Sequence, residues 1–244
     1  MDKYKIDENI YVVENYHNNE PAQFITFEEC FLSKGIKEGK IWEPFLHEVF
    51  EHYIDKDSIV LEGGTHIGTH TIKLSKLAGF VYCFEPLKES FNLLTRNLKL
   101  NDCNNVKPLN YALSDRRGKT KFKWEREGNL GASALIGNDM GFFKPRRNDM
   151  PSNNTITTVT IDSLHLRKLD FIKLDIEGFE KRVLQGGIKT IKEFMPVITM
   201  EIYGTNGETA TDAYISNKFK FILDLGYEFK RLEHHTDFLF LPKK

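Results

Sequence analysis

Cysteine is scarce and scattered: Cys30, Cys83 and Cys103 are the chain's only three. An odd number at such wide spacing forms neither a disulfide framework nor a metal-ligand pattern, and it points to a reducing compartment. Net charge is nearly missing too, with 34 Lys and Arg against 35 Asp and Glu. A sequence-independent nucleic-acid binder needs a basic footprint, so no nucleic-acid partner is expected. No apolar run approaches the roughly 20 residues that span a bilayer. The opening residues, MDKYKIDENIYVVENY, are charged and lack the apolar core of a signal peptide. The expectation is a soluble, cytoplasmic protein. Internal repeats and low-complexity tracts are absent. So are two phosphate-binding motifs: the glycines from Gly63 read G-G-x-x-x-G, not G-x-G-x-x-G, and no Gly-Lys-Ser/Thr follows as a Walker A loop requires.

What is present is alternation. With 244 residues the chain can bury a sizeable core without staples. Short apolar runs read as strands at Ser58 to Leu61, Phe80 to Phe84, Val106 to Leu113, Lys119 to Trp124, Ile156 to Ile161, Leu169 to Leu174 and Pro196 to Ile202. Helical patterns cover Thr69 to Ala78, Lys88 to Leu100, Phe179 to Leu184, Ile188 to Phe194 and Ala213 to Leu225. Strands alternating with helices of this length imply βαβ units and a mostly parallel sheet covered on both faces. Tyr227 to Leu232 and Asp237 to Leu241 are joined by too few residues for a parallel crossover, so they must run antiparallel. Residues 1–53, with scattered aromatics and an amphipathic pattern from Trp42 to Tyr53, read as a cap near the ligand edge of a domain formed by 54–244. The segment GFFKPRRNDMPSNNT, Gly141 to Thr155, reads as a long exposed loop.

The stretch IVLEGGTHIGTHTIKL, Ile59 to Leu74, is a strand, a glycine-rich turn and a helix. Such a unit makes a nucleotide cradle, because the helix N-terminus presents free N–H groups and glycines let a ligand approach the backbone. An acid closing the strand, Glu62, would repel a pyrophosphate but suits a ligand carrying an ammonium and a sulfonium. VYCFEP then ends in Glu85, about twenty residues on, where a carboxylate can accept both ribose hydroxyls. The plainer reading of Glu85 is a solvated charge at a strand end.

A later stretch, TVTIDSLHLRKLDFIKLDIEGFEKRVLQGG, Thr158 to Gly187, resembles the FkbM-type S-adenosylmethionine-dependent methyltransferases. The matching residues are Lys173, Asp175, Glu177, Gly178 and Glu180. EGGTHIGTHT is similar to that family's D-x-G-A-N-x-G loop, with Glu62 for Asp, Thr65 for Ala and His66 for Asn. FEPLKESFNLLTRNLKLN is similar to its second motif. NYALSD, GNLGASAL, PVITMEIYG and TDFLFL resemble later segments, so the likeness runs from Ile59 to Leu241.

The resemblance implies a Rossmann-like class I methyltransferase fold, with a seven-stranded, mostly parallel sheet ending in an antiparallel hairpin. It implies S-adenosylmethionine as cofactor and a hydroxyl of a sugar, glycan or related small molecule as acceptor. Alternatives are a different nucleophile, or a catalytically silent binding module of the same fold. Gly64, Thr65 and Gly68 are expected to line the methionine end with Glu62 nearby, Glu85 to hold the ribose, and Asn110 or Ala112 to border the adenine. Ser114 and Asp115 are further adenine-side candidates, Asp115 also fitting a plain turn. His66 reads as a loop brace through its side-chain donor, or as a catalytic group. Methyl transfer needs alignment, exclusion of water and a group to take the acceptor proton. Asp175 is the expected base or orienter, supported by Lys173 and Glu177, with Glu201 at the end of the next strand. Lys173 is equally readable as a paired buried charge, and Glu177 and Glu180 as helix caps. No metal is expected. His234 and His235 read as a solvated turn, and Lys144 to Arg147 as a solvated loop or a contact to a phosphorylated or sugar-nucleotide substrate.

Overall fold

The computed structural model describes residues 5–124, 133–136, 154–204, 209–233 and 236–243. The chain opens with a hairpin, β1 (Ile6–His17) and β2 (Glu20–Phe27), followed by α1 (Phe31–Lys37) and α2 (Pro44–Tyr53). Then come β3 (Ile59–Gly63), α3 (Thr69–Leu77), β4 (Phe80–Phe84), α4 (Lys88–Leu100), β5 (Val106–Leu109), β6 (Ala112–Leu113), β7 (Gly118–Trp124), β8 (Ala134–Leu135) and β9 (Thr155–Val159). The last third holds β10 (Phe171–Leu174), α5 (Glu180–Gln185), α6 (Ile188–Phe194), β11 (Val197–Glu201), α7 (Asp212–Lys218), α8 (Lys220–Leu223), β12 (Tyr227–Arg231) and β13 (Asp237–Pro242).

Seven strands form the central sheet in the order β12-β13-β11-β10-β3-β4-β5. β11, β10, β3, β4 and β5 are parallel, whereas β13 runs antiparallel to both β11 and β12. This is the expected Rossmann-like sheet with its antiparallel end. The apolar runs explain it: Val60, Leu61, Val81, Phe171, Ile172 and Ile198 are fully buried, as strands covered on both faces must be. From β3 the chain builds outward to β4 and β5, then returns to place β10 on the other side of β3. That reversal opens a crevice at the strands' carboxyl ends.

Three expectations need correction. Val106 to Leu113 is not one strand: it breaks at Asn110, whose side-chain amide donates to the carbonyls of Glu85 (2.8 Å) and Pro86 (3.2 Å). β6 then leaves for a second sheet of order β6-β9-β7-β8. Ala213 to Leu225 is two helices, because Phe219 turns fully into the core against Phe240, with ring centroids 5.6 Å apart. The N-terminal segment holds a hairpin that its periodicity did not announce. Its two-residue turn, Asn18 and Asn19, has φ of 49° and 64°, a left-handed pair that asparagine tolerates and that matches hairpin twist.

Helix α4 fastens this hairpin to the sheet. Asn97 Oδ1 accepts from the Ile25 N–H at 2.8 Å, and its Nδ2 donates to the Ile25 carbonyl (3.0 Å) and the Ile67 carbonyl (2.9 Å). One helical turn on, Asn101 Oδ1 accepts from the Gln23 N–H at 2.8 Å and its Nδ2 donates to the Gln23 carbonyl at 2.7 Å. The spacing works because four helical residues rise about 6 Å and two strand residues about 6.6 Å. The amides thus take the place of a neighbouring strand. Of the described residues, no helix is long and apolar enough to cross a membrane.

Candidate active site

A cavity of about 370 Å³ lies at the carboxyl ends of β3, β4, β10 and β11, within the range of small-molecule sites. Gly64, Thr65 and His66 from the loop after β3, Glu85 after β4, and Ala112 on β6 line it. So do Lys173, Asp175, Glu177 and Glu201. Glu62, Gly68 and Asn110 do not line it.

Glycine 64 has φ of +79°, and a Cβ there would lie 1.7 Å from the Asp175 carbonyl oxygen. A Cβ at Gly68, φ +94°, would lie 2.8 Å from Leu94 Cδ1. The loop after β10 and helix α4 pack against these two glycines, and Gly68 caps α3. Gly64 also lines the cavity.

His66 does not brace its loop through the side-chain donor that was expected. Its ring is buried and neither ring nitrogen has a hydrogen-bond partner. Burial lowers its pKa to about 4, so the ring is neutral near pH 7. The tie that holds the loop is the backbone: the His66 N–H donates to Glu85 Oε2 at 2.8 Å. Glu85 Oε1 accepts from the Leu87 N–H, also at 2.8 Å. Burial raises the Glu85 carboxyl to about 8 despite these two bonds. Glu85 is therefore a buried carboxyl on the cavity wall, not a solvated charge, and its oxygens keep lone pairs for further donors.

Glu62 sits one layer deeper, with no exposure, on β3 beside its register partner Lys173 on β10. Its Oε2 accepts from the Thr71 hydroxyl at 2.7 Å, and burial raises its pKa. Lys173 is also buried, its Nζ 3.3 Å from Asp175 Oδ2. Burial works to lower the Lys173 ammonium, but Asp175, Glu62 and Glu43 outweigh it and hold it above its ordinary value. Lys173 thus pairs with the acid on the cavity wall and lies beside the acid behind it.

Glu201 ends β11. Burial, then Asp175 and Glu177, push its carboxyl well above the usual range, so it carries a proton near neutral pH. The Tyr203 hydroxyl donates to Glu201 Oε1 at 2.7 Å. Burial also raises Asp237, the register partner of Glu201 on β13, to about 7. Glu177 adopts φ of 53° and faces the cavity, whereas Glu180 is buried and accepts from the N–H groups of Gly178 (3.1 Å) and Ile176 (3.3 Å). Glu180 is a structural cap of its loop.

Sequence reasoning missed Tyr203, Phe31, Trp42 and Tyr111, all on the cavity wall. Tyr203 was findable, since it stands two residues beyond Glu201 at a strand's carboxyl end. Ser114 and Asp115 lie off the cavity; the Ser114 hydroxyl donates to Asp115 Oδ1 at 2.9 Å. Lys144 to Arg147, His234 and His235, and all but the last residues of the GNLGASAL segment, fall outside the described residues.

Residues 62–229 match the methyltransferase FkbM domain family. The hexuronic acid methyltransferase AglP of Haloferax volcanii is 28% identical over 189 residues, 76% of this chain and 70% of that one. A solved structure, Methyltransferase FkbM from Methylobacillus flagellatus KT, shares the fold with a TM-score of 0.52 at 17% identity over 76% of this chain. The chain spans 44% of that longer protein. The family match covers the cradle, the second acidic strand end and the Lys173 to Glu180 segment together, and on that ground the chain belongs to the FkbM family of methyltransferases.

Proposed function

We propose that this protein is an O-methyltransferase that uses S-adenosylmethionine and acts on a hydroxyl of a sugar or glycan. The observation that carries the proposal is one cavity walled by Glu85 after β4 and by the Lys173–Asp175 pair at β10. The residues suit the cofactor. Glu85 has free lone pairs for ribose hydroxyls, the buried Thr65 hydroxyl has no partner, and acids far outnumber cations around the space a sulfonium would take. Ala112 and Tyr111 border the same cavity where adenine is expected. Residues 1–53 would act as a cap, a reading supported by Phe31, Leu32, Trp42 and Glu43 on the wall.

S-adenosylmethionine, when bound, supplies a methyl group already activated by its sulfonium. What remains for the protein is alignment, exclusion of water and handling of one proton. Asp175 would take the proton of the acceptor hydroxyl. Lys173 holds the Asp175 carboxylate in place. Glu201, whose carboxyl burial and the neighbouring acids push upward, suits a donor's role more than a base's; with Tyr203 it orients the acceptor. The sugar assignment draws support from the hexuronic acid methyltransferase relative.

Calorimetric titration with S-adenosylmethionine and S-adenosylhomocysteine, followed by transfer of labelled methyl to glycoside acceptors, tests this reading. Micromolar binding and label on a glycoside oxygen are the expected results. Failure to bind either compound would refute the assignment.

A further inference from the structure

The proposed methyltransferase reading leaves the acceptor's chemistry open, and the cavity's rim speaks to it. Phe31, the first residue of α1, is 66% exposed, although it is a large apolar side chain. Its ring meets Trp42 edge to face, centroids 5.9 Å apart at 87°, and both rings line the cavity. A lone exposed aromatic needs no explanation. A paired one on the wall of a cavity that also holds five carboxyl side chains does.

The pair stands next to the carboxyl wall. Trp42 directly precedes Glu43, which lies 2.9 Å from His70 Nε2 and lines a small annex with Lys173, Asp175, Glu201 and Asp237. The Thr199 hydroxyl, buried and without a partner, opens onto that annex. Around the main cavity, Lys173 is the only Lys or Arg among the described lining residues, and it is engaged with Asp175.

An aromatic face beside hydroxyl-accepting carboxyls is what a pyranose ring requires: its C–H face packs on the ring while its hydroxyls donate to the acids. A uronic acid would add a carboxylate facing Asp175, Glu177 and Glu43, with Lys173 already engaged by Asp175, and like charges there are disfavoured. We infer that the acceptor is an uncharged pyranose, stacked on the Phe31–Trp42 rim with its hydroxyls bonded to Asp175 and Glu201. The rim residues set specificity. This chain and its hexuronic-acid relative would then differ in acceptor charge.

The test is saturation-transfer NMR on the protein loaded with S-adenosylhomocysteine. The probes are methyl pyranosides of gluco, galacto and manno configuration and the three matching methyl uronides. At least one neutral glycoside is expected to bind, at least tenfold tighter than its uronide. Phe31→Ala and Trp42→Ala are expected to weaken that binding about tenfold, Phe31→Tyr to restore it, and S-adenosylhomocysteine affinity to stay within twofold. A uronide preference overturns the inference, as does binding indifferent to Phe31→Ala, or a rim variant that weakens S-adenosylhomocysteine equally. If S-adenosylhomocysteine binds and no neutral glycoside does, the inference fails and the methyltransferase reading stands. If S-adenosylhomocysteine itself does not bind, both fail.

Discussion

Replacing Asn97 by alanine should destabilise the whole protein, and the structure sets the scale. The amide makes three hydrogen bonds to backbone groups in buried surroundings: both polar groups of Ile25 and the carbonyl of Ile67. A typical intramolecular bond contributes about 1 kcal/mol net, and a buried group left without a partner costs about 1–3 kcal/mol. The losses share one site and do not add fully, so the expected total is about 3–5 kcal/mol. For a chain of this size 1 kcal/mol moves the melting temperature by about 2–4 °C, which makes the drop about 10 °C. Thermal unfolding followed by circular dichroism measures it. Arg96→Ala, one residue away on the exposed face and removing a surface pair with Glu8, is the control and should shift Tm by less than about 2 °C. Because Ile67 follows His66 in the cavity loop, Asn97→Ala should also weaken S-adenosylhomocysteine binding. Equal melting temperatures for the two variants would refute the claim that these amides hold the hairpin and the loop.

Asp175→Asn should lower kcat by about 10²–10⁴ while leaving S-adenosylhomocysteine affinity within a few-fold, and full turnover would remove Asp175 as the base. Gly64→Ala meets the Asp175 carbonyl and a left-handed φ at once, so it should cost several kcal/mol and abolish cofactor binding; normal melting and binding would contradict the geometry. Glu85 gives a pH test. Its folded pKa of about 8 lies above its unfolded value, so its contribution to stability is full below the unfolded pKa and is lost as pH rises toward 8. Glu85→Gln removes that titration, so its melting temperature should improve relative to wild type as pH goes from 5 to 8, even though S-adenosylhomocysteine binds it more weakly. A difference in Tm that stays flat across that range would show that Glu85 is not held protonated.

The central sheet was readable because its strands are covered on both faces: runs such as Val60–Leu61 and Phe171–Ile172 admit few other placements. Short connections then fixed the antiparallel end. The β1–β2 hairpin hid for the opposite reason. β1 buries little beyond Val13 and Tyr16, is rich in charge, and has register irregularities between Asp7 and Tyr11 and between Val13 and His17. An irregular, one-sided strand has no clean two-residue period to detect. The candidate residues were legible by type and position, since acids at strand carboxyl ends are sequence facts. What filled the space above Gly64, and which atoms of His66 tie the loop, were not. The first depends on the loop after β10, far along the chain, and the second on how Glu85 turns at the end of β4. Asn97 on α4 and Asn101 at its C-cap sat in plain view, but their partners in the hairpin lie 72 and 78 residues away.

That separation bears on how the chain assembles as it is made. A hairpin with a two-residue turn closes in roughly 1–10 μs, so β1 and β2 can pair as soon as they leave the ribosome. Their docking surface does not yet exist. At about 5–20 residues per second, roughly 4–15 s of further synthesis pass before α4 emerges. Through that interval the outer edge of β2 is an open strand edge, the kind that recruits chaperones or other chains. The asparagine pair is thus a late latch on an early element, and slowing synthesis ahead of α4 should lengthen the period in which the nascent protein needs protection.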